Sequence, residues 1–237
     1  MRVSKGNSLL RRTAGEIKVY RTLVRVLPIA MTATVVTLAL VYAITTMYTK
    51  FGSFTVTVNK FDNVNHMLTL SETPDFEDVT SRLNANTAEE ITNISVATLP
   101  LDLDNINGSH NGDNYMAYTF YCKNAGAETV SYEYQLIIDN MTLDIEQAVR
   151  VRLYVDGEYA DYARTRNDGQ GAEPGTTEFF TEKIITQGQI TDLAPNEYTK
   201  YTVVVWLEGD DPECVDTILG GEFKIDMNMS VLGEAAE

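Results

Sequence analysis

Cysteine and histidine occur only twice each in 237 residues, tryptophan once and proline six times. Two cysteines exclude a disulfide-dense miniprotein. His66 and His110 show no H-E-x-x-H spacing, so a zinc protease of the kind that sets two ligands one helical turn apart is excluded. Neither histidine sits in a nucleophilic triad context, and both read as solvated loop residues. Glycine-rich phosphate loops are absent. Basic residues are scarce outside the N terminus. Arg2, Lys5, Arg11, Arg12, Lys18, Arg21 and Arg25 against Glu16 leave residues 1–47 at +6, so the other 190 residues carry −22 of the net −16. A body that acidic repels phosphate backbones, which excludes nucleic acid as its partner.

What is present falls into two parts. Residues 26–47 (VLPIAMTATVVTLALVYAITTM) form a run of 22 without a charge. As a helix this run matches the roughly 30 Å hydrocarbon core of a bilayer. Every basic residue of the head precedes it, which orients residues 1–25 to the cytoplasm and the acidic body outside. The run exceeds the usual apolar region of a signal peptide. Yet Val41 and Ala43 stand at the −3 and −1 positions of a cleavage before Ile44, so retained anchor and cleaved signal both stay open. The division expected is a basic cytoplasmic segment at 1–25, a signal or transmembrane helix at 26–47 and an extracellular domain at 48–237.

Period-two alternation dominates that domain. Apolar faces recur over 54–58, 130–138, 149–155, 201–207 and 222–231, while 115–122 (YMAYTFYC) is apolar on both faces, as a central strand is. Asp156-Gly157, Asn167-Asp168-Gly169 and Gly220-Gly221 supply turn chemistry. Short helical crossovers are expected only at 143–149 and 212–218, and residues 62–114 read as a long excursion with a strand near 91–96. The expected fold is all-β, a jelly-roll-like antiparallel β-sandwich.

Three features carry candidate chemistry. Asp102, Asp104, Asn107 and Asp113 bring hard oxygen ligands into a glycine-bearing loop, as calcium sites do. The run misses EF-hand spacing, since Ile106 takes a ligand position, and Asp and Asn favour turns on their own account. The knot Glu208-Gly209-Asp210-Asp211-Pro212-Glu213 reads as a solvated acidic turn. Cys122 and Cys214 allow one bridge, but a strand position and a loop position favour separate thiols. The third feature is the strand at 51–61, directly after the apolar run. Its alternating Phe54, Val56, Val58 and Phe61 could complete a neighbour's sheet by strand addition. On the residues alone, pairing within its own sandwich is the plainer expectation.

Residues 51–62 (FGSFTVTVNKFD), 70–76 (LSETPDF), 108–112 (GSHNG) with 115–120 (YMAYTF), and above all 206–216 (WLEGDDPECVD) leading to 220–222 (GGE) resemble the exported TasA/camelysin-like proteins of Gram-positive bacteria. The likeness extends over about 48–231. It implies a jelly-roll-like sandwich exported to the cell surface or biofilm matrix, polymerising into fibres in which one subunit's N-terminal strand completes the next. Cleavage after Ala43 would make residues 44–61 the donor. The metallopeptidase label of camelysin-like members finds no zinc motif here, so a non-enzymatic protein is expected. Its partners would be further copies of itself or matrix and cell-wall components, with calcium the only candidate cofactor.

Overall fold

A computed structural model describes residues 26–41, 54–58, 67–86 and 91–232. The chain divides into two compact units, Met1–Thr49 and Lys50–Glu237.

In the first unit a helix covers 26–41. Thr32, Thr34 and Thr37 turn their hydroxyls back onto the carbonyls of Pro28, Ala30 and Ala33 at 2.9 Å, which hides their polarity along an otherwise apolar helix. Among the described residues no helix is long and apolar enough to cross a membrane. Residues 42–47 of the uncharged run, including Ala43 and Ile44, lie outside the described residues.

The second unit is built from strands β1 (Phe54–Val58), β2 (Leu68–Ser71), β3 (Arg82–Asn84), β4 (Asn93–Ile94), β5 (Gly108–Ser109), β6 (Tyr115–Asn124) and β7 (Val130–Met141). They are followed by β8 (Val149–Val155), β9 (Glu158–Ala163), β10 (Thr177–Glu178), β11 (Ile184–Leu193), β12 (Tyr198–Glu208) and β13 (Phe223–Val231). One sheet runs β11-β7-β13-β1-β3, and the other runs β10-β9-β8-β12-β6-β2 with β4 on β12 and β5 on β6. From β6 onward the chain passes repeatedly between the sheets, so β6-β12-β8-β9 faces β1-β13-β7-β11 as in a jelly roll.

The long ladders are antiparallel as expected, but both sheets are mixed. β9–β10 and β4–β12 are parallel over two residues each. The longer exception is β1, which lies parallel to β13 with Phe54 opposite Ile225 and Val58 opposite Met229. Parallel neighbours cannot be joined by a tight hairpin. β1 therefore enters its slot from the N-terminal end of the domain, independently of the strand it lies against.

Alternation fills the interior. Leu136 and Ile138 of β7, Val149, Val151 and Leu153 of β8, and Ile225, Met227, Met229 and Val231 of β13 meet in one core with Tyr118, Phe120, Tyr132 and Tyr201. β6 and β12 are buried on both faces because residues from 94 to 103 fold over them. Leu99 and Leu103 pack there on Ala117, Val204, Tyr154 and Trp206 as a second, smaller core. The expected crossover helix at 143–149 shrinks to a single 3-10 turn, Ile145–Gln147. Leu143 and Asp144 take left-handed backbone (φ 58° and 54°), and the apolar alternation of β8 claims the chain from Val149 onward. Near the second expected crossover the helical turn is Asp216–Ile218.

Candidate functional site

β1 is short, but its core-facing side chains are fully enclosed. Phe54 and Val56 are 0% exposed and Val58 4%. Phe54 meets Tyr118 edge-on at 5.8 Å between ring centroids and lies 6.2 Å from Phe120. On the β3 side, Ala85 N–H donates to the Phe54 carbonyl at 2.9 Å and Val58 N–H to the Ser81 carbonyl at 3.0 Å. The outward Thr55 hydroxyl reaches Asn84 Oδ1 at 3.4 Å. Phe54, Val56 and Val58 thus sit between β13 and β3 of their own chain. Phe61 lies outside the described residues. β3 is only three residues long, and among the described residues β1 is the one strand that joins it to the sheet.

Beneath the slot the core is aromatic and hydroxyl-rich. Phe120 stacks on Tyr201 at 5.3 Å, and the hydroxyls of Tyr132 and Tyr201 meet at 2.8 Å. Cys122 is wholly buried beside them, and burial pushes its thiol up to about 12. Cys122 and Cys214 are both free, as their positions suggested.

The acidic knot after β12 differs from its sequence reading. Glu208 and Asp211 are buried, 8% and 6% exposed. Glu208 accepts Trp206 Nε1–H at 3.0 Å and Val96 N–H at 3.0 Å, which fixes the folded-over segment to the sheet. Asp211 is bound by the Arg150 guanidinium, whose other donors reach the carbonyls of Gln147 at 3.3 Å and Val149 at 3.2 Å. Glu173 closes the group at 3.9 Å from Arg150. The ligand atoms of Glu173, Asp211 and Glu213 all lie within 4.8 Å of one another, the spacing of a cation site. A cation is already among them, namely Arg150. The side-chain hydrogen bond between Glu213 and Asp211 raises the Glu213 carboxyl above its ordinary value. Two open clefts flank Pro212: one of about 430 Å³ lined by Arg150, Glu173 and Trp206, and one of about 590 Å³ lined by Leu143, Gln147 and Ile218.

The calcium candidates fall on both sides of β5, and two of the four already have protein partners. Asp104 binds Lys200 Nζ at 2.8 Å and accepts the Thr202 hydroxyl at 2.8 Å. Asn107 Oδ1 accepts the Tyr121 hydroxyl at 2.7 Å. Asp102 precedes the 3-10 turn Leu103–Asn105 without capping it by its side chain, and Asp113 lies in the turn before β6. His110 is half-buried rather than solvated. Its Nδ1 donates to the Gly108 carbonyl at 2.8 Å, and its Nε2 is buried without a partner. His66 lies outside the described residues.

No family model and no curated protein matches the chain. Among solved structures it is similar to a GH31 alpha-xylosidase from Xanthomonas citri, at 9% identity and a TM-score of 0.27 over 71% of this chain and 14% of that one. AvmM, which catalyzes macrocyclization in alchivemycin A biosynthesis, gives 10% identity and a TM-score of 0.26 over 76% and 96%. A beta-glucosidase from Kluyveromyces marxianus in complex with glucose gives 11% and 0.23 over 72% and 15%. The chain thus spans about one seventh of the xylosidase it matches.

Proposed function

We propose that this is an exported, non-enzymatic structural protein of the cell surface or biofilm matrix, whose subunits join by passing β1 into the slot between β13 and β3 of a neighbour. The observation that supports this reading is the parallel β1–β13 pair. Its strand lies at the start of the domain, fills the core with three side chains and reaches its place without a hairpin to β13. Exchange of such an element keeps every native contact and changes only which copy supplies it. The other sheet edges suit polymerisation less. β2, β3 and β10 have four, three and two residues. β11 is long, but its ladder is interrupted between Ile184 and Thr186 and again between Ile190 and Leu193, the kind of irregularity that blunts edge-to-edge pairing.

The test is a removable lock. Thr57 and Asn228 are register partners on the outward face. Neighbouring strands lie at about 4.8 Å, within the span a disulfide bridges. In a Cys214→Ser background, oxidised Thr57→Cys/Asn228→Cys full-length chain should stay monomeric, and reduction should restore assembly to the wild-type level. Equal assembly of oxidised and reduced protein, followed by light scattering and electron microscopy, would overturn strand exchange. Export has its own measurement, the N-terminal sequence of the protein recovered from its native cells. A start at Ile44 in the extracellular fraction means the strand is released, whereas Met1 or Arg2 in the membrane fraction means a tethered ectodomain and argues against a fibre.

A further inference from the structure

We propose that Asp226 is a pH-sensitive catch on β1, holding the strand tightest in acid and loosening it when the carboxylate is charged. Asp226 is the direct partner of Thr55 across the β1–β13 seam. It lies on the outward face of β13, between Thr55 on one side and Ile137 of β7 on the other. Its Oδ1 is buried without a hydrogen-bond partner. A charged Oδ1 in that position forgoes hydration and gains no donor of its own, and the Thr55 hydroxyl helps the carboxylate only in part, so the ionised form costs more in the fold than in the open chain.

The groups around it do not cancel that cost. On its own strand, Lys224 commits its ammonium to Asp139 of β7 at 2.5 Å. Asp139 adds a second negative charge, and Arg82 of β3 supplies a weaker positive influence. β1 offers only hydroxyls on this face, Thr55 and Thr57, and the Thr55 hydroxyl is directed to Asn84 at 3.4 Å. Burial therefore raises the Asp226 carboxyl above its ordinary value, against the opposing pull of Lys224, Thr55 and Arg82. A folded-state value above the unfolded one gives stability that is fully present below the unfolded value and is lost as pH rises through the folded one. The seam is accordingly weaker at neutral pH than in mild acid. Because the same seam must open for a strand to change partners, Asp226 sets when exchange is fast. That last step rests on the strand-exchange reading, whereas the catch itself is a property of the monomer.

The two are separated by measuring Asp226→Asn on the full-length, unassembled protein. At neutral pH the variant should melt about 2–4 °C above wild type, the shift expected for roughly one hydrogen bond's worth of stability in a domain of this size. The gap should close as pH is lowered into the carboxylate range. Amide hydrogen exchange across Phe54–Val58, taken relative to β12, should slow in the variant at neutral pH and match wild type in acid. Equal melting at neutral pH, or a difference that does not change with pH, overturns the catch. If the catch is present but Asp226→Asn assembles at the wild-type rate, the proposal fails in its regulatory part and β1 opening does not control assembly.

Discussion

Replacing Arg150 with methionine should lower the stability of the domain by about 3–5 kcal/mol, although no apolar surface is lost. The side chains of Arg150 and Asp211 are 4% and 0% exposed. Methionine fills similar space but leaves the Asp211 carboxylate buried without its counterion, and it releases the carbonyls of Gln147 and Val149. The loss should appear as a drop of roughly 10 °C in melting temperature. Arg166→Met, which breaks an exposed pair with Asp168 and a longer 3.8 Å contact to Glu173, should cost far less, about 1 kcal/mol. Adding Asp211→Asn to Arg150→Met should recover much of the loss, because the penalty is an unpaired charge and not a missing contact. A loss below about 1 kcal/mol in urea unfolding would mean that Asp211 finds another donor. The result also bears on metal binding. If Arg150 serves as the cation of the Glu173–Asp211–Glu213 group, calcium should stabilise Arg150→Met more than wild type.

This cluster shows where sequence reading stopped. Glu208–Glu213 looks solvated as a string of acids after a strand, and nothing local contradicts that. The residue that buries it is Arg150, 61 positions away, brought beside it by the β8–β12 ladder. Long-range register of this kind leaves no trace in local composition. The strands themselves were legible where alternation is unbroken, as in β7, β8 and β13. β11 was not. Gly188 replaces an apolar inward residue because the Tyr134 ring and hydroxyl occupy the space its Cβ would need. Two irregularities then shift the phase of the remaining apolar residues. β9 escaped notice for a different reason: Tyr159 points outward beside Arg152, whose guanidinium lies 4.3 Å from the ring. The excursion at 62–114 looked patchy because its apolar residues are divided between the main core and the small one over Trp206. For β1, the alternating Phe54, Val56 and Val58 announced a strand. Its parallel partner lay at the opposite end of the chain, beyond the reach of any local signal.

Phe54→Ala should cost about 3–5 kcal/mol, the range for an enclosed phenylalanine that leaves a cavity. Thr57→Ala on the outward face of the same strand should stay within about 1 kcal/mol. Burial of Phe54, Val56 and Val58 is worth roughly 5–8 kcal/mol in all, a large share of the 5–15 kcal/mol that holds a typical domain folded. β1 is thus too important to its own sandwich to leave freely, and a subunit that releases it must promptly capture another. This explains how a protein could remain monomeric when dilute and yet polymerise when concentrated. It also sets a direct test in trans. A synthetic peptide of residues 51–61 should raise the melting temperature of the Phe54→Ala chain by supplying the missing ring, in a concentration-dependent manner. The same peptide carrying alanine at position 54 should do much less. If the wild-type peptide gives no rise at concentrations where it remains soluble, the slot between β13 and β3 accepts only its own strand. Assembly through β1 would then have to be abandoned, while the fold and the Arg150 cluster would stand unchanged.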